Sequence, residues 1–375
     1  MSPEYLFCIS KIVEAATEGD AEMAAAYTEQ LALMLEKDGQ AEYAKRLRRT
    51  AKSSKSAKLQ PARFAPKSIA REALPVDSES GLSTAEVTEW PKGSVKMFLS
   101  SKATRSVDRF LAYYRATDRL SMDGVAVSPT MLIFGPPGCG KTQLASFIAS
   151  EVELPLVTAR VDGLISSYLG STAKNLRGLF DYVKSHDCVL FLDEFDSLAK
   201  MRDDAGELGE LKRVVISLLQ NMDTMPKDRI ILAATNHEHL LDPAIWRRFT
   251  TKLELSEPDD EARAAMIVEF LGGFFTSDLK DVLHTMTTGF TGAQIKLIIG
   301  ECRRNAILAQ RKEIGLGEAV ESALALKPET AEMKEGIKDR VKTLKAIAPK
   351  TFTQVRLAKI FGVSQPYIST LLKRR

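Results

Sequence analysis

Residues 135–142 read Gly-Pro-Pro-Gly-Cys-Gly-Lys-Thr. Two glycines bracketing four residues, followed by Lys and a hydroxyl side chain, form a phosphate-loop pattern. Gly135, Gly138 and Gly140 let backbone N–H groups turn toward phosphate oxygens, with Pro136, Pro137 and Cys139 between them. The helix N-terminus behind the loop adds positive potential. Lys141 would reach the β- and γ-phosphates of a nucleoside triphosphate, and Thr142 would ligate Mg²⁺. The apolar run Met131-Leu132-Ile133-Phe134 ahead of the loop reads as a buried strand. Behind it, Gln143 opens a segment that reads as a helix. A chance Gly-rich turn would lack that strand–loop–helix context.

Two further runs end in residues suited to the same chemistry. Cys188-Val189-Leu190-Phe191-Leu192 leads into Asp193-Glu194. An apolar strand would set both acids at the carboxyl edge of a sheet, where open α/β sheets bind ligands. Asp193 would hold Mg²⁺, directly or through water, and Glu194 would polarise a water for attack on the γ-phosphate. Two acids after a buried strand can also simply cap a helix; the upstream loop favours the functional reading. Ile230-Ile231-Leu232-Ala233-Ala234-Thr235 ends at Asn236, which could hydrogen-bond that water or the phosphate. Arg247 and Arg248 follow Trp246. Adjacent arginines usually face solvent or pair with carboxylates, but planar guanidinium donors also stabilise charge in phosphoryl transfer.

Positioning these groups takes several short parallel strands with crossover helices. Apolar strands alternate with helical segments up to about residue 257, as in a parallel α/β sheet. Around it the chain divides into a helical module over 1–50, a linker over 51–94 rich in Lys, Ser and Pro, the α/β domain over 95–257 opened by a helix from about Val95 to Arg119, an all-helical 258–326, and a basic helical 327–375. Met23, Tyr27, Leu31, Met34 and Leu35 form the clearest helical stripe of the first module, between shorter stripes starting at Ile9 and Tyr43. With 375 residues, 45% hydrophobic and 27% charged, the chain can bury a sizeable core. No apolar run approaches the roughly 20 residues of a membrane span, and Glu4 and Glu14 argue against a secretion signal. Cys8, Cys139, Cys188 and Cys302 form no C-x-x-C pair, so a reducing cytoplasm is expected. His237 and His239 lack the further ligands of a metal box.

Taken in order, these motifs resemble those of the AAA clade of AAA+ ATPases, over about residues 125–309. Walker A matches residues 135–142. Walker B matches residues 189–194, with Asp196 completing Asp-Glu-x-Asp. Sensor 1 matches Asn236. The second region of homology ends at Arg247-Arg248-Phe249, similar to the katanin, spastin and Vps4 group. The resemblance implies a P-loop α/β domain with a helical lid, ATP and Mg²⁺ as ligands, and a homo-oligomeric ring, a hexamer, in which the arginines reach a neighbour's nucleotide. Gly289-Phe290-Thr291-Gly292-Ala293 resembles the start of a lid helix, with Gly292 and Ala293 near the base. Upstream, the family's adenine-contacting segment is matched only by Met122-Asp123-Gly124-Val125.

The resemblance also implies a pore loop at Tyr168-Leu169-Gly170. Such loops grip an extended polypeptide, and a ring of aromatics could intercalate between its side chains. A Tyr packed on its own domain is the plain alternative. Acidic residues 203–210 would disfavour nucleic acid in a channel. Residues 354–372 instead resemble a DNA-binding helix-turn-helix. Gly362 suits the turn, and Pro366 the first turn of the second helix. Val363, Ile368 and Leu371 form its buried stripe. Gln365, Tyr367, Ser369, Thr370 and Lys373 would meet DNA, on a face made basic by Lys345, Lys350, Arg356, Lys359, Arg374 and Arg375. A small packing module is the alternative. Three functions follow: a ring that remodels or threads a protein, tethered to DNA by its C-terminus; a DNA-directed ATPase such as a loader or a regulator of transposition or transcription; or an ATP-controlled scaffold for a separately encoded effector, as in phage defence.

Overall fold

A computed structural model describes residues 8, 10–12, 21–37, 74–77, 81–125, 128–160, 164, 169–199, 208–326 and 336–373. The chain divides into two compact units, Met1–Lys67 and Ser68–Arg375. In the first, helix α1 (Ala21–Lys37) carries the stripe Met23, Tyr27, Leu31, Met34 and Leu35 and buries Leu31. The stripe from Tyr43, and most of that from Ile9, lie outside the described residues.

The second unit is built on a six-stranded sheet. Its strands are β1 (Ala85–Thr88), β2 (Thr130–Phe134), β3 (Leu156–Ala159), β4 (Val189–Leu192), β5 (Ile230–Thr235) and β6 (Thr251–Glu254). Their spatial order is β1-β3-β4-β5-β2-β6. All neighbours are parallel except β1, which runs antiparallel to β3. β4 and β5 are buried along their whole length. That is why their sequences are unbroken apolar runs rather than alternations. The side chains still alternate between two cores. Leu132, Leu190 and Ile231 face one, with α5 (Leu169–Ser185), α7 (Leu208–Asp223) and the short α8 (Pro243–Trp246). Met131, Ile133, Phe191 and Leu232 face the other, with α2 (Ser101–Arg115) and α4 (Lys141–Val152). The single turns α3 (Thr117–Met122) and α6 (Asp196–Ala199) complete this domain.

Two boundaries differ from expectation. The linker expected over 51–94 includes β1, and just ahead of it an isolated antiparallel bridge pairs Val76 with Ser83. The helix expected from Val95 starts only at Ser101, because Ser100 caps it by accepting the Ala103 N–H. Residues 94–100 are left as a non-helical strap.

The lid comprises α9 (Asp260–Leu271), α10 (Ser277–Met286), α11 (Gly292–Leu308) and α12 (Leu316–Ala325). Side chains cap three of their N-termini: Asp259, Thr276 and Thr291, the last with Gln294 in a capping box. After residue 336 come α13 (Ile337–Ile347), α14 (Gln354–Phe361) and α15 (Gln365–Lys373). Gly362, at φ 64°, makes the left-handed turn between the last two. This C-terminal segment, expected as a separate module, shares the lid's core. Phe352, Leu357, Ile368 and Leu371 are buried in one cluster with Ile295, Ile298, Val282 and Val320.

Candidate nucleotide site

Because β2, β4 and β5 run parallel, the residues that follow them emerge on one edge of the sheet. β5 lies between the other two, with Phe134 beside Thr235 and Leu192 beside Ala233. The segment holding Asn236 therefore stands between the glycine loop and the acid pair.

Gly135, Gly138 and Gly140 have φ of 135°, 81° and 93°, which L side chains resist. A Cβ on Gly135 would also overlap the carbonyl oxygen of Leu255 just beyond β6. α4 starts directly after the loop with Gly140 at its N-cap and no side-chain cap, leaving its first N–H groups for an anion. Lys141 is buried and donates to the Gly135 and Pro136 carbonyls at 2.7 and 2.8 Å. Burial pulls its ammonium below the ordinary lysine pKa, opposed by Cys139, Asp193, Glu238 and Asp196. A buried cation on neutral carbonyls favours an incoming anion. Burial first, then Glu257, pushes the Cys139 thiol up.

Thr142 Oγ1 donates to Asp193 Oδ2 at 2.8 Å. Two hard oxygen groups, one in the first turn of α4 and one just after β4, thus converge at the foot of the loop, the donor set that Mg²⁺ takes. The other Asp193 oxygen accepts the Glu194 N–H at 2.9 Å. Glu194 is exposed and in the left-handed region, φ 47°. Its carbonyl accepts from the N–H and Oγ of Ser197. Asp196 accepts from Thr235 Oγ1 at 2.7 Å, and the same hydroxyl accepts the His237 N–H. That pair fixes the end of β5 and presents Asn236 as an exposed side chain.

The two arginines part company. Arg248 binds Asp223 at the end of α7 through Nε and Nη2, both at 2.9 Å. This pairing holds the Asp223 carboxyl below its ordinary range. Arg247 is exposed, with no side-chain partner among the described residues. Tyr168 lies outside the described residues, as do residues 203–207. Leu169 is placed only as the first residue of α5.

From the lid, the Ala293 N–H donates to the Gly138 carbonyl at 3.1 Å. A Cβ on Gly138 would stand 3.1 Å from that of Ala293, so the start of α11 rests on the loop. The strap closes the opposite side. Met97 reaches within 3.2 Å of where a Gly140 Cβ would be, and the Lys96 carbonyl accepts from Gln143 at 2.6 Å. Lys96 also pairs with Glu269 of α9 at 2.8 Å, and Phe98 meets Phe270 edge-on. Met122 ends α3 and residues 123–125 follow it, while the segment that contacts the loop is this strap. No spacing rule could have found Met97, because its partners lie across the fold.

At the C-terminus, Gln365, Tyr367, Thr370 and Lys373 are exposed on α15, and Ser369 is half-buried. Much of the expected basic face is engaged internally. Arg356 binds Asp278 and Asp281, Lys359 binds Asp278, and Lys345 donates to the Pro349 and Phe352 carbonyls. Lys350 and Lys373 are exposed, and Arg374 and Arg375 lie outside the described residues. His237 and His239 meet ring edge to ring face, and no cluster of three or more His, Cys, Asp or Glu side chains able to hold a metal occurs among the described residues.

The sheet, the glycine loop and the acids beside it define a P-loop nucleoside-triphosphatase with a helical lid resting on its phosphate loop. The family model for the ATPase family associated with various cellular activities (AAA) matches residues 131–257. An uncharacterized AAA family ATPase, y4kL of Sinorhizobium fredii, is 37% identical over 72% of this chain and 81% of its own length. The cell division cycle protein 48 homolog of Archaeoglobus fulgidus is 34% identical over 56% of this chain, and only 30% of that longer protein is covered. The crystal structure of the FIGL-1 AAA domain superposes with a TM-score of 0.55 at 22% identity, over 73% of this chain and 92% of that one, a likeness of fold. The chain belongs to the AAA family of ATPases: it binds ATP and hydrolyses it. No helix among the described residues is long and apolar enough to cross a membrane.

Proposed function

We propose that the chain is one subunit of a homo-oligomeric ring, a hexamer, whose ATP sites are completed by a neighbour and whose turnover does work on a protein. The observation that carries this reading is the exposed Arg247, without a side-chain partner among the described residues, beside an Arg248 tied to Asp223. A guanidinium left free next to an anchored twin is suited to another subunit's phosphate.

In this reading Lys141 exchanges its two carbonyls for β- and γ-phosphate oxygens. Thr142 and Asp193 hold Mg²⁺, which supplies charge neutralisation at those oxygens when bound. Glu194 takes a proton from the attacking water, and Asn236 orients that water. Arg247 stabilises charge from the adjacent subunit, and Arg248 keeps α8 in place. Tyr168 and Leu169 grip an extended polypeptide. We place the protein in a reducing cytoplasm, from its four scattered thiols.

The test mixes two inactive proteins. Arg247→Ala retains its own Walker residues, and Glu194→Gln retains its arginine. Mixed rings should regain part of the ATPase activity, because a Glu194→Gln subunit lends Arg247 to a neighbour's intact site. No regain at any ratio, with mixed assembly verified, would refute action in trans.

A second reading is favoured by the exposed polar face of α15 over buried Ile368 and Leu371. That arrangement is suited to a major groove, and several copies in a ring would gain avidity. Binding to a duplex that weakens steeply with salt and is lost in Tyr367→Ala, at an exposed position and with the melting temperature unchanged, would support it. Stable capture of a partner protein without its processing would point instead to an ATP-controlled scaffold.

A further inference from the structure

Resting on the duplex-binding reading of α15, we propose that this face and the nucleotide site are linked, because α14 and α15 move with the lid as one body. The junction is a core, not a tether. Phe352, Leu357, Ile368 and Leu371 pack into the cluster that holds Ile295, Ile298 and Ile299 of α11. Gly317 of α12 meets α14 so closely that a Cβ there would stand 2.5 Å from the Ile360 carbonyl oxygen. Arg356 spans Asp278 and Asp281 of α10, Lys359 adds a bond to the other Asp278 oxygen, and Thr351 bonds Thr285 at 3.0 Å. Close-packed interiors transmit displacement rather than absorb it.

The other end of the same body touches the phosphate loop. α11 begins on Gly138 through the Ala293 N–H, and α9 is held to the strap by Lys96–Glu269 and Phe98–Phe270. A triphosphate that draws Lys141 off the Gly135 and Pro136 carbonyls rearranges the loop on which α11 stands. The lid then shifts, and α15 shifts with it.

A rigid body presents the same α15 surface in every nucleotide state. One module gripping one short site is therefore indifferent to nucleotide. Linkage arises when a duplex spans two modules, whose separation and angle the lids set. It must then be reciprocal: ATP changes duplex affinity, and duplex changes ATP affinity, by one factor, typically about 5- to 150-fold.

The experiment uses the full-length Glu194→Gln protein and two fluorescent mixed-sequence DNAs: a hairpin-closed duplex of about one helical turn and a duplex of several turns. Each is titrated without nucleotide, with ADP and with ATP, and ATP affinity is measured with and without the long duplex. The expected result is long-duplex affinity that changes at least about 5-fold with nucleotide, a matching change in ATP affinity, and short-duplex affinity that does not change. Tyr367→Ala, at an exposed position, should remove duplex binding and the effect of duplex on ATP affinity. Binding of both DNAs without nucleotide dependence would overturn the linkage while leaving duplex binding intact. Equal dependence for both lengths would overturn the rigid-body account. No binding in any state would overturn duplex binding itself, and the linkage with it.

Discussion

Glu194 sits at φ 47°, a conformation that costs an L-residue about 1–2 kcal/mol. Its own surroundings impose it: Asp193 holds its N–H, and Ser197 holds its carbonyl twice. Glu194→Gln should bind ATP and lose turnover, read by phosphate release. Glu194→Gly should lose turnover too, yet melt above Glu194→Gln by the equivalent of about 0.5–1 kcal/mol, once glycine's entropy in the unfolded chain is subtracted. A lower melting point for the Gly variant would mean the backbone there is not strained. The arginines give a second contrast. Arg247→Ala, at an exposed position, should leave the melting temperature within about 0.5 kcal/mol of the parent, while Arg248→Ala and Asp223→Ala should lower it by similar amounts. In the sequence Arg247 and Arg248 are neighbours of one type, and nothing separates them. Asp223 lies on another helix, so only tertiary structure tells the anchored arginine from the free one. That Lys141 would lie in the loop and Thr142 would meet Asp193 was legible, because their spacing from strand ends is itself the signal.

At the scale of elements, β2, β4 and β5 were legible from their apolar runs; β1 was not, and neither was β6, whose Thr-Lys-Leu-Glu holds a single apolar residue. The four residues of β1 lie in a stretch resembling a linker, and its partner β3 is 71 residues further along. The sequence suggests a separate basic module from residue 327, yet the helices beyond residue 336 return to the lid's core. Phe352→Ala should therefore destabilise lid and C-terminal helices together, by about 3–5 kcal/mol, with one melting transition for both. The Arg356 clamp has a pH signature. Arg356, then Lys359, holds the Asp278 carboxyl below its ordinary range. Its stabilisation is complete above the unfolded-state pKa, near pH 4, and is lost as pH falls through the lowered folded value. Hydrogen exchange should find α14 deprotected by acid before β4 and β5. Simultaneous loss would show that the clamp contributes nothing separable from the core.

For the whole molecule, the ring reading turns each subunit's Arg247 into part of its neighbour's site, so activity should rise more steeply than linearly with protein concentration before assembly saturates. Tyr168→Ala should abolish substrate processing with ATP binding intact; full processing would remove that loop from the mechanism. One described feature bears on how the molecule carries load. The strap over the phosphate loop is continuous with the chain that arrives from the N-terminal unit, so tension on that unit would be directed at Met97 and the nucleotide. β1 stands in the way. Hydrogen-bonded to β3 from Ala85 to Thr88, it anchors the chain to the sheet before the strap begins, so tension arriving along the chain from the N-terminal unit would be borne by the sheet's edge before it reached Met97.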